Sequence, residues 1–133
     1  MSDHPIGSVV AVVDDDRGVL ESLGLLLESA DHEVRLFASA AALLESGCLA
    51  EIDGLVSDIG MPGMDGFELL RAVRAARPML PIILITGQSD LGSQSPPIGL
   101  GEYRLLKKPL DGREFLAIVN DSLRGPDLPA PRS

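Results

Sequence analysis

The sequence is poor in cysteine, in aromatic residues and in positive charge. Cys48 is the only cysteine, which excludes an internal disulfide and a cysteine-rich metal cluster. The chain has 133 residues with no tryptophan, one tyrosine and three phenylalanines, so aliphatic side chains must fill its core. Eleven Lys and Arg residues against 20 Asp and Glu residues give a net charge of −9. This charge disfavours direct binding to nucleic acid or to an anionic membrane surface.

Long apolar runs and targeting signals are also lacking. No stretch approaches the ~18 consecutive apolar residues that are typical of a transmembrane helix. The first residues, MSDHPIGS, lack the basic and apolar regions of a signal peptide. We therefore expect a cytoplasmic protein that does not enter a membrane.

What the sequence does contain is an alternation of two kinds of segment. Short segments rich in Leu or β-branched residues predict strands at 8–13, 33–37, 54–57, 81–86 and 103–106. Amphipathic patterns predict helices at 17–30, 40–46, 65–76 and 111–124, with Ser39 and Asp111 as caps of the second and the last. Strand–helix alternation is typical of a parallel sheet with helices on both faces, a doubly wound α/β fold.

The predicted domain covers residues 8–124. It follows an N-terminal extension at 1–7 and precedes a Pro-rich tail or linker at 125–133. Within it, segment 90–102 is unusual because a Pro pair and three glycines disfavour a regular helix there. We expect at most a short or distorted fourth helix in that segment. In the helix at 65–76, the Arg side chains of positions 71, 74 and 77 predict the solvent-facing side.

Polar side chains follow several predicted strands at their carboxyl ends, where open α/β sheets bind ligands. The residues concerned are Asp14, Asp15 and Asp16 after the first strand, Asp58 after the third, Thr86 at the end of the fourth, and Lys107 and Lys108 after the fifth. Carboxylates gathered at one edge repel one another unless a cation neutralises them, and Mg²⁺ is the hard cation that suits such a site. With a Lys charge and a Thr hydroxyl nearby, the set indicates phosphoryl transfer, in which an Asp carboxylate can be the nucleophile.

Each of these residues also has an ordinary structural interpretation. Residues 14 to 16 are favoured types for capping the helix that begins at 17. Asp58 by itself suits an Asx turn, and Lys108 by itself suits an exposed surface position. The functional interpretation depends on all of them meeting at the same edge of one sheet.

Four short motifs, in order, resemble the receiver domain of bacterial response regulators in two-component signalling. They are VVDDD at 12–16, SDIGMPGMDG at 57–66, LITG at 84–87 and KKP at 107–109. The resemblance spans nearly the whole chain, roughly residues 8 to 124. It implies a five-stranded parallel sheet in the order 2-1-3-4-5. It also implies a phosphorylation-dependent switch that accepts a phosphoryl group from a sensor histidine kinase or a phosphotransfer protein.

The resemblance also implies a role for each matching residue. Asp58 would be the phosphoacceptor, and Mg²⁺ would bind Asp14, Asp15, Asp58 and the backbone carbonyl of Gly60. Thr86 would move toward the phosphoryl group, and Lys108, chosen over Lys107 because Pro109 follows it, would pair with that group. Asp16 ranks below the acidic pair, and the Lys108–Pro109 peptide is a candidate for the cis geometry. The domain would promote its own phosphorylation and dephosphorylation without being a turnover enzyme.

Two departures from the family pattern concern the output. The family usually has an aromatic residue three positions before the Lys, where this chain has Leu105, with Tyr103 two residues earlier. The second is segment 90–102, at the face through which receivers often form homodimers. We therefore expect phosphorylation to change segment 87–105 by a route without an aromatic switch. The output partner, or an effector domain joined to the tail, remains open.

Two other functions remain open at this point. A receiver-like interaction module would bind its partner whatever its phosphorylation state. A Mg²⁺-dependent phosphatase with an Asp nucleophile would share the Asp14–x–Asp16 pattern, although Gly18 stands where such enzymes usually have Thr or Val.

Overall fold

The protein is described from a computed structural model that covers residues 8–60, 63, 66–87, 103–108 and 110–123. The strands are β1 (Val9–Val13), β2 (Glu33–Phe37), β3 (Gly54–Asp58), β4 (Ile82–Thr86) and β5 (Arg104–Lys107). The helices are α1 (Arg17–Ser29), α2 (Ala40–Ser46), α3 (Gly66–Ala76) and α4 (Gly112–Leu123), with a short 3₁₀ turn at Cys48–Ala50. Each strand and helix lies within one residue of the predicted limits.

The five strands form one sheet in the order β2-β1-β3-β4-β5, and every pair is parallel. This confirms the predicted fold class and strand order. The central strands β3 and β4 are buried along their whole length, as expected for parallel strands covered on both faces. The edge strand β2 has only exposed and half-buried residues because it has a strand neighbour on one side only.

Two apolar clusters hold helices on the two faces of the sheet. One packs α2 and α3 against the sheet through residues such as Leu43, Leu70 and Val73. The other packs α1 and α4 against the opposite face through residues such as Leu27, Phe115 and Val119. Aliphatic side chains make up most of both clusters, as the scarcity of aromatic residues requires. In the described part of the chain, no helix is long and apolar enough to span a membrane.

The helix ends follow the capping residues that the sequence predicts. Ser39 accepts a hydrogen bond from the Ala42 N–H, and Asp111 accepts one from the Glu114 N–H. α2 stops at Gly47, which adopts a left-handed conformation with φ of 78°, a geometry that glycine adopts without steric cost. These local signals set the helix ends before any long-range contact is considered.

The solvent-facing prediction is wrong for two of the three arginines at positions 71, 74 and 77. Arg71 is exposed, but Arg74 and Arg77 are half-buried. Arg74 donates to the carbonyl of Leu80 at 2.6 Å. Arg77 donates to the carbonyls of Leu49 and Ile52 at 2.7 and 3.1 Å. The guanidinium groups bend back onto backbone carbonyls outside α3, which a periodicity argument along one helix does not detect.

Several sequence-based expectations fall outside the described residues. They concern the extension at 1–7, the distorted helix at 90–102, the cis Lys108–Pro109 peptide and the tail at 125–133. These remain predictions.

Candidate functional site

The sheet register brings the predicted site residues to one edge. Asp58 is the last residue of β3, and Thr86 is the last residue of β4. Asp14 directly follows β1, and Lys108 directly follows β5. Because Val13 pairs with Ser57, Asp58 with Ile85 and Thr86 with Lys107, these four strands end at the same level.

The ammonium group of Lys108 lies between two buried carboxylates. Its Nζ is 3.2 Å from Asp58 Oδ1 and 3.9 Å from Asp14 Oδ2. The Lys108 side chain keeps 34% of its surface exposed, whereas those of Asp14 and Asp58 keep 1% and 6%. One half-exposed cation therefore faces two carboxylates that have little access to water.

Three carboxylates converge at this point. One oxygen from each of Asp14, Asp15 and Asp58 lies within 4.8 Å of the others, with Asp15 exposed and the other two buried. Asp14 Oδ2 is buried and accepts no hydrogen bond from any described residue. Three carboxylates beside one ammonium group leave two formal negative charges, the charge that a divalent cation neutralises. The donor set therefore fits a hard divalent cation.

The protein disfavours ionisation of the buried Asp14 carboxylate. The pKa of Asp14 is raised from 3.8 to about 6, mainly by burial, and the nearby charges of Asp58 and Asp15 act in the same direction. A hydrogen bond from the Asp16 N–H to Asp14 Oδ1 at 2.8 Å and the charge of Lys108 act in the opposite direction on the pKa. The metal-free protein therefore keeps this carboxylate charged against a desolvation cost.

Asp16 is separated from the other acids by its contacts. Its side chain accepts hydrogen bonds from the N–H groups of Gly18 and Val19, at 2.9 and 3.2 Å, and caps α1. The capping interpretation is therefore correct for Asp16, while Asp14 and Asp15 face Asp58. This arrangement also separates the two acids on which the phosphatase alternative depends.

Thr86 and Lys108 are linked through the backbone. The Lys108 N–H donates to the carbonyl of Thr86 at 2.8 Å. The Thr86 side chain is fully buried, and its hydroxyl donates to the carbonyl of Gly87 at 3.0 Å. The structure thus places Thr86 at the same edge as the acids, with its hydroxyl bonded to the loop that follows β4.

Two further residues beside Asp58 were not identified as functional from the sequence. Ser57 is fully buried, and its hydroxyl donates to the carbonyl of Asp58 at 3.0 Å. Gly66, the first residue of α3, lies against the same peptide unit. The sequence signals that could have identified them are a hydroxyl directly before Asp58 in a buried strand and a glycine at the start of a helix. Gly60, the predicted carbonyl ligand, is exposed and lies two residues beyond Asp58.

Comparison with known proteins identifies the arrangement. The sequence profile of the family described as "Response regulator receiver domain" matches residues 10–120. The transcriptional regulatory protein FixJ of Bradyrhizobium diazoefficiens is 35% identical over 115 residues, which cover 86% of this chain and 56% of FixJ. The DNA-binding transcriptional regulator NtrC of Escherichia coli K12 is 37% identical over 115 residues, covering 86% of this chain and 24% of NtrC.

Solved structures show the same architecture. A CheY-like receiver domain protein from Methanospirillum hungatei superposes with a TM-score of 0.79 at 28% identity, over 89% of this chain and 94% of that one. The crystal structure of FixJ-N superposes with a TM-score of 0.76 at 28% identity, over 98% of this chain and 99% of that one. This chain thus matches a whole FixJ-N structure but only about half of FixJ and a quarter of NtrC.

Proposed function

The chain belongs to the response regulator receiver domain family, and we propose that it is a signalling switch that accepts a phosphoryl group on Asp58. The family is a signalling domain of two-component systems and not a typical turnover enzyme. The observation that carries the proposal is the position of Lys108 Nζ, 3.2 Å from Asp58 Oδ1, at an edge where three carboxylates meet.

A divalent cation completes the charge balance of this site. Asp14, Asp15 and Asp58 would hold Mg²⁺ through carboxylate oxygens, and Gly60 would contribute its backbone carbonyl. When bound, Mg²⁺ neutralises negative charge on the carboxylates and on the phosphoryl oxygens. The buried Asp14 Oδ2, which accepts no hydrogen bond within the described chain, supports this assignment.

The reaction at Asp58 is a transfer of a phosphoryl group between two nucleophiles. A carboxylate oxygen of Asp58 forms a bond to phosphorus while the bond between phosphorus and the donor's imidazole nitrogen breaks, and that nitrogen keeps the electron pair. Hydrolysis reverses the change at Asp58, because water attacks phosphorus and the carboxylate leaves as inorganic phosphate forms. The protein supplies mainly position and charge in both steps.

Lys108 and Thr86 stabilise the product in this proposal. The ammonium group of Lys108 already faces Asp58, so it can remain paired with the added phosphoryl oxygens. Thr86 must exchange its hydrogen bond to the Gly87 carbonyl for one to the phosphoryl group. That exchange releases the loop carbonyl and couples the modification to the segment that follows β4.

The histidine kinase or phosphotransfer protein is the proposed donor. The curated relatives named above are transcriptional regulators, and this chain spans only part of each. We propose that residues 8–124 form the receiver and that the output lies in a partner, or in a domain joined to the 125–133 segment, with a homodimer as one arrangement.

The test is incubation with acetyl phosphate and Mg²⁺, followed by intact mass measurement and mapping of the modified residue. We expect one phosphoryl adduct that is lost in Asp58→Asn and when EDTA replaces Mg²⁺. Asp121→Asn is the matched control, because it removes an exposed carboxylate on α4 and should leave the adduct intact. An adduct that persists in Asp58→Asn, or no adduct in the wild type with Mg²⁺, would overturn the proposal.

A further inference from the structure

The peptide unit between Asp58 and Ile59 is held from several directions. The buried Ser57 hydroxyl donates to the Asp58 carbonyl at 3.0 Å. The Ile59 N–H donates to the carbonyl of Ile85 in β4 at 2.9 Å, and the Ile59 carbonyl accepts from the Gly66 N–H at 3.0 Å. The backbone at Asp58, the candidate phosphoacceptor, is therefore held by its own strand, by the neighbouring strand and by the start of α3.

The Gly66 contact has no room for a side chain. A Cβ atom at this position would lie 2.7 Å from the Asp58 carbonyl oxygen, 2.7 Å from Ile59 Cα and 3.3 Å from the Asp58 carbonyl carbon. All three neighbours are backbone atoms, so a methyl group cannot be accommodated by rotating a side chain. Either the start of α3 or the Asp58–Ile59 peptide has to move.

We propose that Ser57 and Gly66 are positioning residues for Asp58: together they fix the Asp58–Ile59 peptide and so the direction of the Asp58 carboxylate. The inference deepens the proposed phosphoacceptor function and rests on it for its kinetic consequence. Neither residue touches the transferred group. They act through the peptide from which the carboxylate projects and from which the chain continues to the Gly60 carbonyl.

The expected effect is large because phosphoryl transfer depends on alignment. A displacement of about 1 Å at a reacting group can cost about 100-fold in rate, even when the substitution lies outside the reacting set. The Asp58 side chain is short, so a rotation of its peptide moves the carboxylate relative to Lys108. The same rotation changes the separation between the carboxylate and the oxygens of Asp14 and Asp15.

The first test compares two glycine substitutions in the full chain. In Gly66→Ala the new methyl group meets backbone, whereas in Gly54→Ala it meets Leu123 Cδ2 at 2.8 Å, the end of a flexible side chain. Both glycines are buried, and Gly54 begins the strand that Asp58 ends. With saturating acetyl phosphate and Mg²⁺, we expect Gly66→Ala to slow phosphorylation by about 10- to 100-fold. We expect Gly54→Ala to stay within about twofold of the wild type, because its overlap is relieved far from the site.

The second test removes and restores the Ser57 hydroxyl. Ser57→Ala deletes the donor to the Asp58 carbonyl with little change in volume, and we expect a loss of about 3- to 10-fold in the rate at saturation. Ser57→Thr keeps a hydroxyl on a strand residue and should recover most of that rate. This pair decides the matter if Gly66→Ala does not fold.

Two other measurements separate positioning from general destabilisation. Thermal unfolding reports the folded fraction, and the phosphorylation assays are run well below the unfolding midpoint of each variant. A merely structural role would therefore lower that midpoint without changing the phosphorylation rate at saturation. Amide chemical shifts of Ile59 and Gly60 in the metal-free protein report the peptide directly. We expect these shifts to change in Gly66→Ala and Ser57→Ala, and to remain as in the wild type in Gly54→Ala.

The outcomes distinguish this inference from the proposed function. Wild-type rates in both Gly66→Ala and Ser57→Ala, or unchanged Ile59 and Gly60 shifts, would overturn the positioning role while leaving Asp58 as phosphoacceptor. A wild type that forms no adduct would overturn the phosphoacceptor function, while the metal-free shifts would still report whether these residues fix the peptide.

Discussion

At the scale of single residues, the buried charge of Asp14 lowers the stability of the folded protein. Its carboxylate is buried beside Asp58, and burial is the main reason that its pKa lies at about 6 instead of 3.8. Between these two pH values the folded protein binds more protons than the unfolded chain, so stability falls as pH rises through that window. Above about pH 6 the buried Asp14 charge destabilises the fold to its full extent, and below about pH 4 this destabilisation is absent.

The first prediction follows from that sign. Asp14→Asn keeps an oxygen that can accept from the Asp16 N–H but removes the charge. In EDTA at pH 7.5 we expect the variant to be more stable than the wild type by about 1–3 kcal/mol, since each pKa unit corresponds to about 1.4 kcal/mol. Urea unfolding at pH 7.5 and at pH 3.5 measures this, and the gain should disappear at the lower pH. A loss of stability at both pH values would contradict it.

At the scale of the secondary structure elements, the acidic run at 14–16 divides between a helix cap and a site. Asp16 satisfies two N–H groups at the start of α1, whereas Asp15 contributes an oxygen to the three-carboxylate cluster. The adjacent residues Asp15 and Asp16 therefore have different neighbours, and substituting each of them should have a different effect.

The second prediction compares Asp16→Ala with Asp15→Ala. Asp16→Ala should lose about 1 kcal/mol of stability, the usual cost of an N-cap, and retain most of the Mg²⁺ affinity. Asp15→Ala should retain stability in EDTA and bind Mg²⁺ at least about tenfold more weakly, because a carboxylate ligand is lost. Chemical denaturation and Mg²⁺ titration followed by NMR measure the two quantities. The reverse pattern would assign the metal-facing role to Asp16.

The third prediction concerns the junction between α3 and the segment before β3. Arg77 joins them by donating to the carbonyls of Leu49 and Ile52. Arg77→Ala should therefore destabilise the fold by about 1–3 kcal/mol, because hydrogen bonds from a charged group to two loop carbonyls are lost. Arg71→Ala, at an exposed position of α3, should change stability by less than about 0.5 kcal/mol. Urea unfolding of the two variants provides the comparison, and equal effects would refute the junction role.

At the scale of the whole molecule, the site is connected to the edge of the sheet through β4 and β5. Thr86 and Lys108 share a backbone hydrogen bond, and β5 carries Leu105 with 39% of its surface exposed. Tyr103 is half-buried instead, with its ring edge-on to Phe67 at a centroid distance of 6.4 Å. The described part of the proposed output segment thus presents an aliphatic side chain at the position where the family usually has an aromatic one.

The fourth prediction is that occupancy of Asp58 reaches this strand. With beryllofluoride and Mg²⁺, amide hydrogen exchange should change at residue 87 and across 103–107, because Thr86 would leave the Gly87 carbonyl for the acyl phosphate mimic. Asp58→Asn under the same conditions is the control and should show no change. Unchanged exchange in the wild type, with mimic binding demonstrated, would favour the phosphorylation-independent interaction module.

The sequence by itself determined the secondary structure and the edge of the sheet at which the acidic residues lie. Strand boundaries, helix caps and the strand–helix order are local properties, because they follow from hydrophobic period and from side-chain bonds within a few residues. Strand ends also place Asp14, Asp58 and Thr86 at one edge once the strands are parallel. The four ordered motifs were enough to identify the family, which the profile match to residues 10–120 shows.

Only the tertiary structure decided which neighbouring polar groups meet. It brought Asp15 into the carboxylate cluster, brought Arg77 back onto two carbonyls and placed Gly66 against the Asp58–Ile59 peptide. Each of these contacts depends on differences of a few tenths of an ångström or on loop paths, and the hydrophobic pattern constrains neither. The physical reason is that apolar burial responds to the face on which a side chain lies, whereas hydrogen bonds and steric overlap depend on distances between individual atoms.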